Sequence, residues 1–184
     1  GTGTCHQVVA GKHRLFAMCT NPTQATTQDL FSMWANKTMS DVVPLGGVAP
    51  AASTEAAWIT AAPGQDVAYF ASRSPDPGCL GKATATTLDP CAVPIRTLGT
   101  LSSAFVKSAQ ASEDGASLFV AMFFPSDTAD TRLFEVQLAT LNVVGIRSID
   151  SYATCPDNSV VLQDFTISQR YAGGVATDVR LGFG

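Results

Sequence analysis

Leu15-Phe16-Ala17-Met18, Val67-Ala68-Tyr69-Phe70 and Leu118-Phe119-Val120-Ala121 recur at intervals of 52 and 51 residues. Each phrase is a short apolar run that begins the same kind of unit. Working outward, each is preceded by a second strand across a turn: Ala57-Trp58-Ile59-Thr60 lies before Gly64-Gln65-Asp66, and Ala104-Phe105-Val106-Lys107 before Glu113-Asp114-Gly115. Gly and Asp supply the turn chemistry. After each phrase comes a polar loop, a third strand, and a fourth strand ending in Val43-Pro44-Leu45-Gly46, Val93-Pro94-Ile95-Arg96-Thr97-Leu98 or Val144-Gly145-Ile146-Arg147-Ser148-Ile149. The unit is therefore four strands in about 51 residues, and a repeat of that length decides the architecture.

Along the whole chain, short runs rich in β-formers are punctuated by Gly, Pro, Asn, Asp and Ser, and no window of twelve or more residues keeps an uninterrupted helical period. The pattern predicts fourteen strands, at 6–10, 14–19, 30–35, 42–46, 57–61, 67–72, 83–88, 94–98, 105–109, 118–124, 132–138, 143–149, 160–167 and 179–183. With a four-stranded repeat, the chain resembles a β-propeller, in which each small sheet hides its apolar face on the next. Leu133-Phe134-Glu135-Val136-Gln137-Leu138-Ala139-Thr140-Leu141-Asn142-Val143-Val144 is similar to the third and fourth strands of blades in the quinoprotein, NHL and surface-layer propeller group. The resemblance implies one all-β repeat domain over residues 1–184, with blade-like units at about 1–50, 51–101, 102–153 and 154–184. Three units are full and the fourth is incomplete. An incomplete sheet exposes unpaired backbone groups, which a neighbouring chain can satisfy. The alternative is a pair of tandem immunoglobulin-like sandwiches divided near residue 93.

Composition narrows the partners. Charged residues make up 14% of the chain, the net charge is −4, and the basic residues are scattered singly. That excludes the dense positive patch nucleic acid requires. No run reaches the length of a membrane-spanning helix. Five cysteines, Cys5, Cys19, Cys79, Cys91 and Cys155, occur without a Cys-x-x-Cys spacing, which favours an oxidising, extracellular or cell-surface location over metal or redox work. Cys5 and Cys19 are equidistant from a turn at Gly11-Lys12 and so face each other across a hairpin. Cys79 and Cys91 pair across a short loop, leaving Cys155 free or bonded to another chain. Asn36-Lys37-Thr38 is an N-glycosylation acceptor, which makes Asn36 the site of a covalent glycan.

Catalytic machinery is not legible. The two histidines, His6 and His13, are not spaced with Cys5 and Cys19 for a tetrahedral zinc site, because alternation along a strand sets Cys5 and His6 on opposite faces. Ser126-Asp127-Thr128-Ala129-Asp130 lacks the alternating carboxylates of a calcium loop, and the aspartates read as turn caps. No catalytic residue, cofactor or metal is assigned. Trp34, Trp58, Phe123, Phe124 and Tyr152 read first as core or inter-blade packing. Trp58 and Trp34 are the candidates for contact with a partner or a glycan. The expectation is a non-catalytic extracellular structural or protein-interaction module, an assembly unit of a cell-surface or fibrous glycoprotein. Its partners are then other protein chains, through self-association or the rest of a longer polypeptide. A glycan-binding or glycan-cleaving propeller and a scaffold fragment of a larger receptor ectodomain are the alternatives.

Overall fold

The computed structural model describes residues 4–21, 23, 28–35, 42–48, 58–71, 79–94, 105–124, 130–148, 165–172 and 175–183. Among them are fourteen strands and no helix. The first unit contains β1 (Cys5–Ala10), β2 (Arg14–Thr20), β3 (Gln28–Trp34) and β4 (Val43–Val48); the second, β5 (Trp58–Ala61), β6 (Ala68–Ala71), β7 (Cys79–Ala83) and β8 (Leu88–Pro94). The third contains β9 (Phe105–Ala111), β10 (Ser117–Phe124), β11 (Asp130–Gln137) and β12 (Asn142–Ser148), and the fourth the pair β13 (Phe165–Ala172) and β14 (Val175–Phe183). Every sheet is an antiparallel meander in sequence order: three four-stranded sheets and one two-stranded sheet among the described residues.

The sheets stack face to face with their first strands innermost. β1 lies against β5, β5 against β9, and β9 against β13, while β4 reaches β8. This is the all-β, propeller-like arrangement of blades. Two cores cross the blade boundaries. Phe16, Met18 and Leu30 of the first blade pack on Ile59, Ala68, Phe70 and Ala83 of the second. Tyr69, Ala71 and Leu80 on the far face of the second blade pack on Val106, Leu118, Val120, Met122, Phe134 and Val136 of the third. A sandwich boundary near residue 93 would cut β8, and neither core is confined to one half of the chain. The tandem-sandwich alternative is set aside on those grounds.

The repeat reappears as hydrogen bonds between adjacent blades. Ile59 N donates to Gln7 Oε1 at 2.9 Å across 52 residues, Ser32 Oγ to the Ala85 carbonyl at 2.6 Å across 53, and Gln65 Nε2 to the Gly115 carbonyl at 3.3 Å across 50. Strand pairing also corrects the repeat register. Ala10 faces Leu15, Ala61 faces Ala68, and Ala111 faces Leu118, so the equivalent of Leu15 in the second blade is Ala68, not Val67. The cause is turn length. Gly11 N bonds the Arg14 carbonyl around the two residues Lys12 and His13, whereas the pairs Ala62–Val67 and Ser112–Ser117 enclose four residues each. Because side chains alternate, a shift of one residue exchanges the two faces.

The second blade departs from the sequence-based strands as well. Residues 83–88, expected as a strand, contain the turn between β7 and β8, and the described last strand is Leu88–Pro94; residues 95–98 of the expected 94–98 lie outside the described residues. Thr84 Oγ1 accepts from Thr87 N at 3.1 Å, and Thr84 N bonds the Thr87 carbonyl. A hydroxyl that captures nearby backbone N–H groups overrides the β-propensity of the threonines. In the fourth unit the described strands are a hairpin over 165–172 and 175–183; residues 160–164 of the expected 160–167 lie outside the described residues, and the last strand is longer than the expected 179–183.

Candidate interaction surface

The first-hairpin turns of the three full blades, β1–β2, β5–β6 and β9–β10, sit against one another. Lys12 N donates to the Gln65 carbonyl at 2.9 Å, and the Gln65 side chain carries the contact on to Gly115. A Cβ on Gly11 would fall 2.7 Å from the Gln65 carbonyl oxygen, and one on Gly115 would fall 2.9 Å from that of Pro63. Gly115 also has φ +67, a conformation that disfavours any side chain.

Asp66 fastens the first blade to the second. Its Oδ1 accepts from the backbone N–H of His13 at 2.7 Å and of Arg14 at 3.0 Å, and its Oδ2 lies 3.1 Å from His13 Nδ1. Burial alone would raise its carboxyl, but the His13 backbone and ring and the Arg14 N–H together outweigh it and hold the group below the ordinary carboxylate value. Beside this clamp Arg14 is 4% exposed, and its guanidinium carbon lies 4.7 Å from the centroid of the Trp34 ring. The ring offsets the burial of the cation. Other polar groups are likewise engaged locally: Ser112 Oγ donates to Asp114 at 2.6 Å and Ser117 Oγ to Glu135 at 2.8 Å.

At the opposite end of the first hairpin, Cys5 and Cys19 are directly opposite in the register and joined by a disulfide. A bulge between Cys5 and Gln7 accommodates His6, whose ring nitrogen Nε2 bonds Thr20 Oγ1. The disulfide occupies both sulfurs that a zinc site would need. Among the described residues no three His, Cys, Asp or Glu side chains are grouped to hold a metal ion, and no helix is long and apolar enough to cross a membrane.

The remaining sequence-selected residues are dispersed. Trp34 ends β3 and is 43% exposed; Trp58 opens β5 opposite Ala71. Cys79 opens β7 opposite Pro94, and Cys91 lies on the adjacent strand β8. Phe123 and Phe124 end β10. Asn36, Tyr152 and Cys155 lie outside the described residues.

What the sequence did not single out is the face of the first blade turned away from the second. Cross-strand partners share a face, so Val8, Ala17, Phe31 and Pro44 form one row across all four strands, and Ala10, Leu15 and Met33 a second. The equivalents of Val8 in the next two blades are Ile59 and Ala109, which the preceding blade buries to 4% and 5% exposure; Val8 is 59% exposed. Leu15, Ala17, Phe31 and Met33 are half-buried, where Ala68, Phe70, Leu118 and Val120 are buried. The signal was present in Leu15-Phe16-Ala17-Met18, apolar on both faces.

No protein-family model matches the sequence, and no curated protein matches it. Among solved structures, the chain is similar to the subtype N11 neuraminidase-like protein of A/flat-faced bat/Peru/033/2010 (H18N11), with 12% identity and a TM-score of 0.45 over 82% of this chain and 40% of that one. The chain thus spans 40% of the length of that protein.

Proposed function

We propose that this chain is a non-catalytic protein-interaction module, an extracellular assembly unit of a cell-surface or fibrous glycoprotein. The observation that carries the reading is the first blade's outward face, which keeps apolar residues in two rows that no blade covers among the described residues. Contiguous apolar surface of that kind marks a site of contact with another macromolecule. The histidines and carboxylates named above support the non-catalytic side of the reading, because each fastens a turn, a strand end or a blade junction instead of converging on a common point. Two further assignments belong to it: a glycan on Asn36, and a Cys79–Cys91 bridge with Cys155 left free or joined to another chain.

Production as a secreted protein in eukaryotic cells tests these assignments together. The expected product carries one enzymatically removable N-glycan, lost in Asn36→Gln, and its non-reduced peptide map contains a Cys79–Cys91 cross-link. Against a panel of glycosides and oligosaccharides it neither hydrolyses nor binds. Saturable oligosaccharide binding that disappears in Trp58→Ala or Trp34→Ala would replace this reading with glycan recognition.

A further inference from the structure

A buried cation between the first two blades lacks an acceptor among the described residues. Alternation along β2 puts Arg14 in the row of Phe16 and Met18, which faces the second blade, and Trp34 is its cross-strand partner. Only 4% of Arg14 meets solvent, and its Nε is buried with no hydrogen-bond partner. The centroid of the Trp34 ring lies 4.7 Å from the guanidinium carbon, but a ring face gives the Nε–H no acceptor oxygen. Asp66 does not supply one. Its Oδ1 accepts from the backbone N–H groups of His13 and Arg14, and its Oδ2 pairs with the His13 ring. Nor does the architecture call for a cation here. With Leu15, Ala68 and Leu118 equivalent, Arg14 corresponds to Val67 in the second blade and Ser117 in the third. Val67 packs against the core of the next seam. A buried, unpaired donor at a position where the repeat accepts valine calls for an acceptor from outside the chain.

We propose that Arg14 and Trp34 form a socket, in the seam between the first and second blades, for the carboxylate of an aspartate or glutamate on a partner protein. The inference rests on the interaction-module reading and gives that module a point of specificity. A carboxylate offers two oxygens to the Nε edge of a guanidinium, and the paired hydrogen bonds are strong because both groups are charged. Its single charge also suits a chain of net charge −4 with Asp66 beside the socket, where a doubly charged oxyanion would meet more repulsion. Trp34 is 43% exposed, so its ring forms the outer wall of the socket, and Lys12 is exposed on the adjoining turn. Arg and Trp are among the residues that carry most of the binding energy at protein interfaces.

Trp34 reports on the socket directly. In a Trp58→Phe chain it is the one remaining tryptophan, and its emission is followed while the capped peptide acetyl-Gly-Glu-Gly-amide is added at fixed ionic strength. The expected result is a saturable shift with a dissociation constant of about a millimolar, as for one charge-assisted contact. The matching Gln peptide gives no saturable shift, Arg14→Met removes the response, and Arg14→Lys weakens it about tenfold. Because Arg14→Met puts an apolar residue where the second blade has Val67, it is expected to keep or raise the urea midpoint. A lowered midpoint without saturable binding by the parent chain assigns the guanidinium to packing alone and overturns the proposal. A response that is linear, that is equal for the Glu and Gln peptides, or that survives in Arg14→Met overturns it as well; the peptide comparison needs no variant at Arg14 and decides the matter if Arg14→Met does not fold. A chain that fails to bind the Glu peptide but is recovered cross-linked to other polypeptides in its native setting overturns the socket and leaves the module reading standing. One that binds a glucuronate disaccharide about tenfold more tightly than the peptide overturns the protein partner together with the module reading.

Discussion

Gly81 and Phe70 show how single residues share the space between blades. A Cβ on Gly81 would lie 2.0 Å from Cζ of Phe70, its cross-strand partner, in the core between the first two blades. The equivalent pairs are Ala17 with Phe31 in the first blade and Val120 with Phe134 in the third, so the large side chain changes strand while a small one faces it in two of the three. Gly81→Ala is expected to destabilise by about 1–3 kcal/mol through overpacking. Phe70→Leu in the same chain should recover part of that loss, and a urea double-mutant cycle measures the coupling. Asp66 acts at the same scale. Its carboxyl is lower in the folded chain than the unfolded value of 3.8, so its contribution is complete above that pH and is lost as the pH falls through the folded value. Asp66→Ala should cost about 1–2 kcal/mol at neutral pH, as expected for bonds to a charged acceptor. The gap from the parent chain should narrow as unfolding is followed into acid below 3.8.

Among the elements, the first hairpin is the one with a covalent brace. The Cys5–Cys19 bridge spans 14 residues, and a loop of about that length contributes about 3 kcal/mol by limiting the unfolded chain. Cys5→Ser with Cys19→Ser should lower the urea midpoint accordingly, without a change in the far-ultraviolet spectrum. This hairpin was legible in the sequence because its cysteines straddle a glycine turn symmetrically. Most other strands were legible for a related reason: Gly, Pro and Asn punctuation brackets them. β7 and β8 were not, because Thr84-Ala85-Thr86-Thr87-Leu88 has the composition of a strand while the Thr84 hydroxyl binds the backbone of a turn. The repeat length was legible, but its register was not, since that depends on two-residue and four-residue turns that the apolar phrases do not reveal. The exposed face of the first blade was hidden for another reason. Alternation assigns residues to faces, yet only tertiary packing decides which face lacks a neighbour.

For the molecule as a whole, stability resides between blades as much as within them. The second blade contributes Phe70 and Ala83 to one core and Tyr69 and Leu80 to the other, so it cannot open without exposing both neighbours. The first three blades should therefore unfold as one cooperative unit. Hydrogen exchange in increasing urea is expected to release the amides of β2, β6 and β10 together, and Tyr69→Ala should lower the protection of all three by about the same 3–5 kcal/mol. The chained turns of the first hairpins carry a practical corollary. With Gly11 seated on the Gln65 carbonyl and Gly115 on that of Pro63, this rim has the tolerances of a gear train. An epitope or tag spliced beside His13 or Gln65 would unmesh adjoining blades. Thr140, on an exposed bend between β11 and β12, is the safer place to graft foreign sequence.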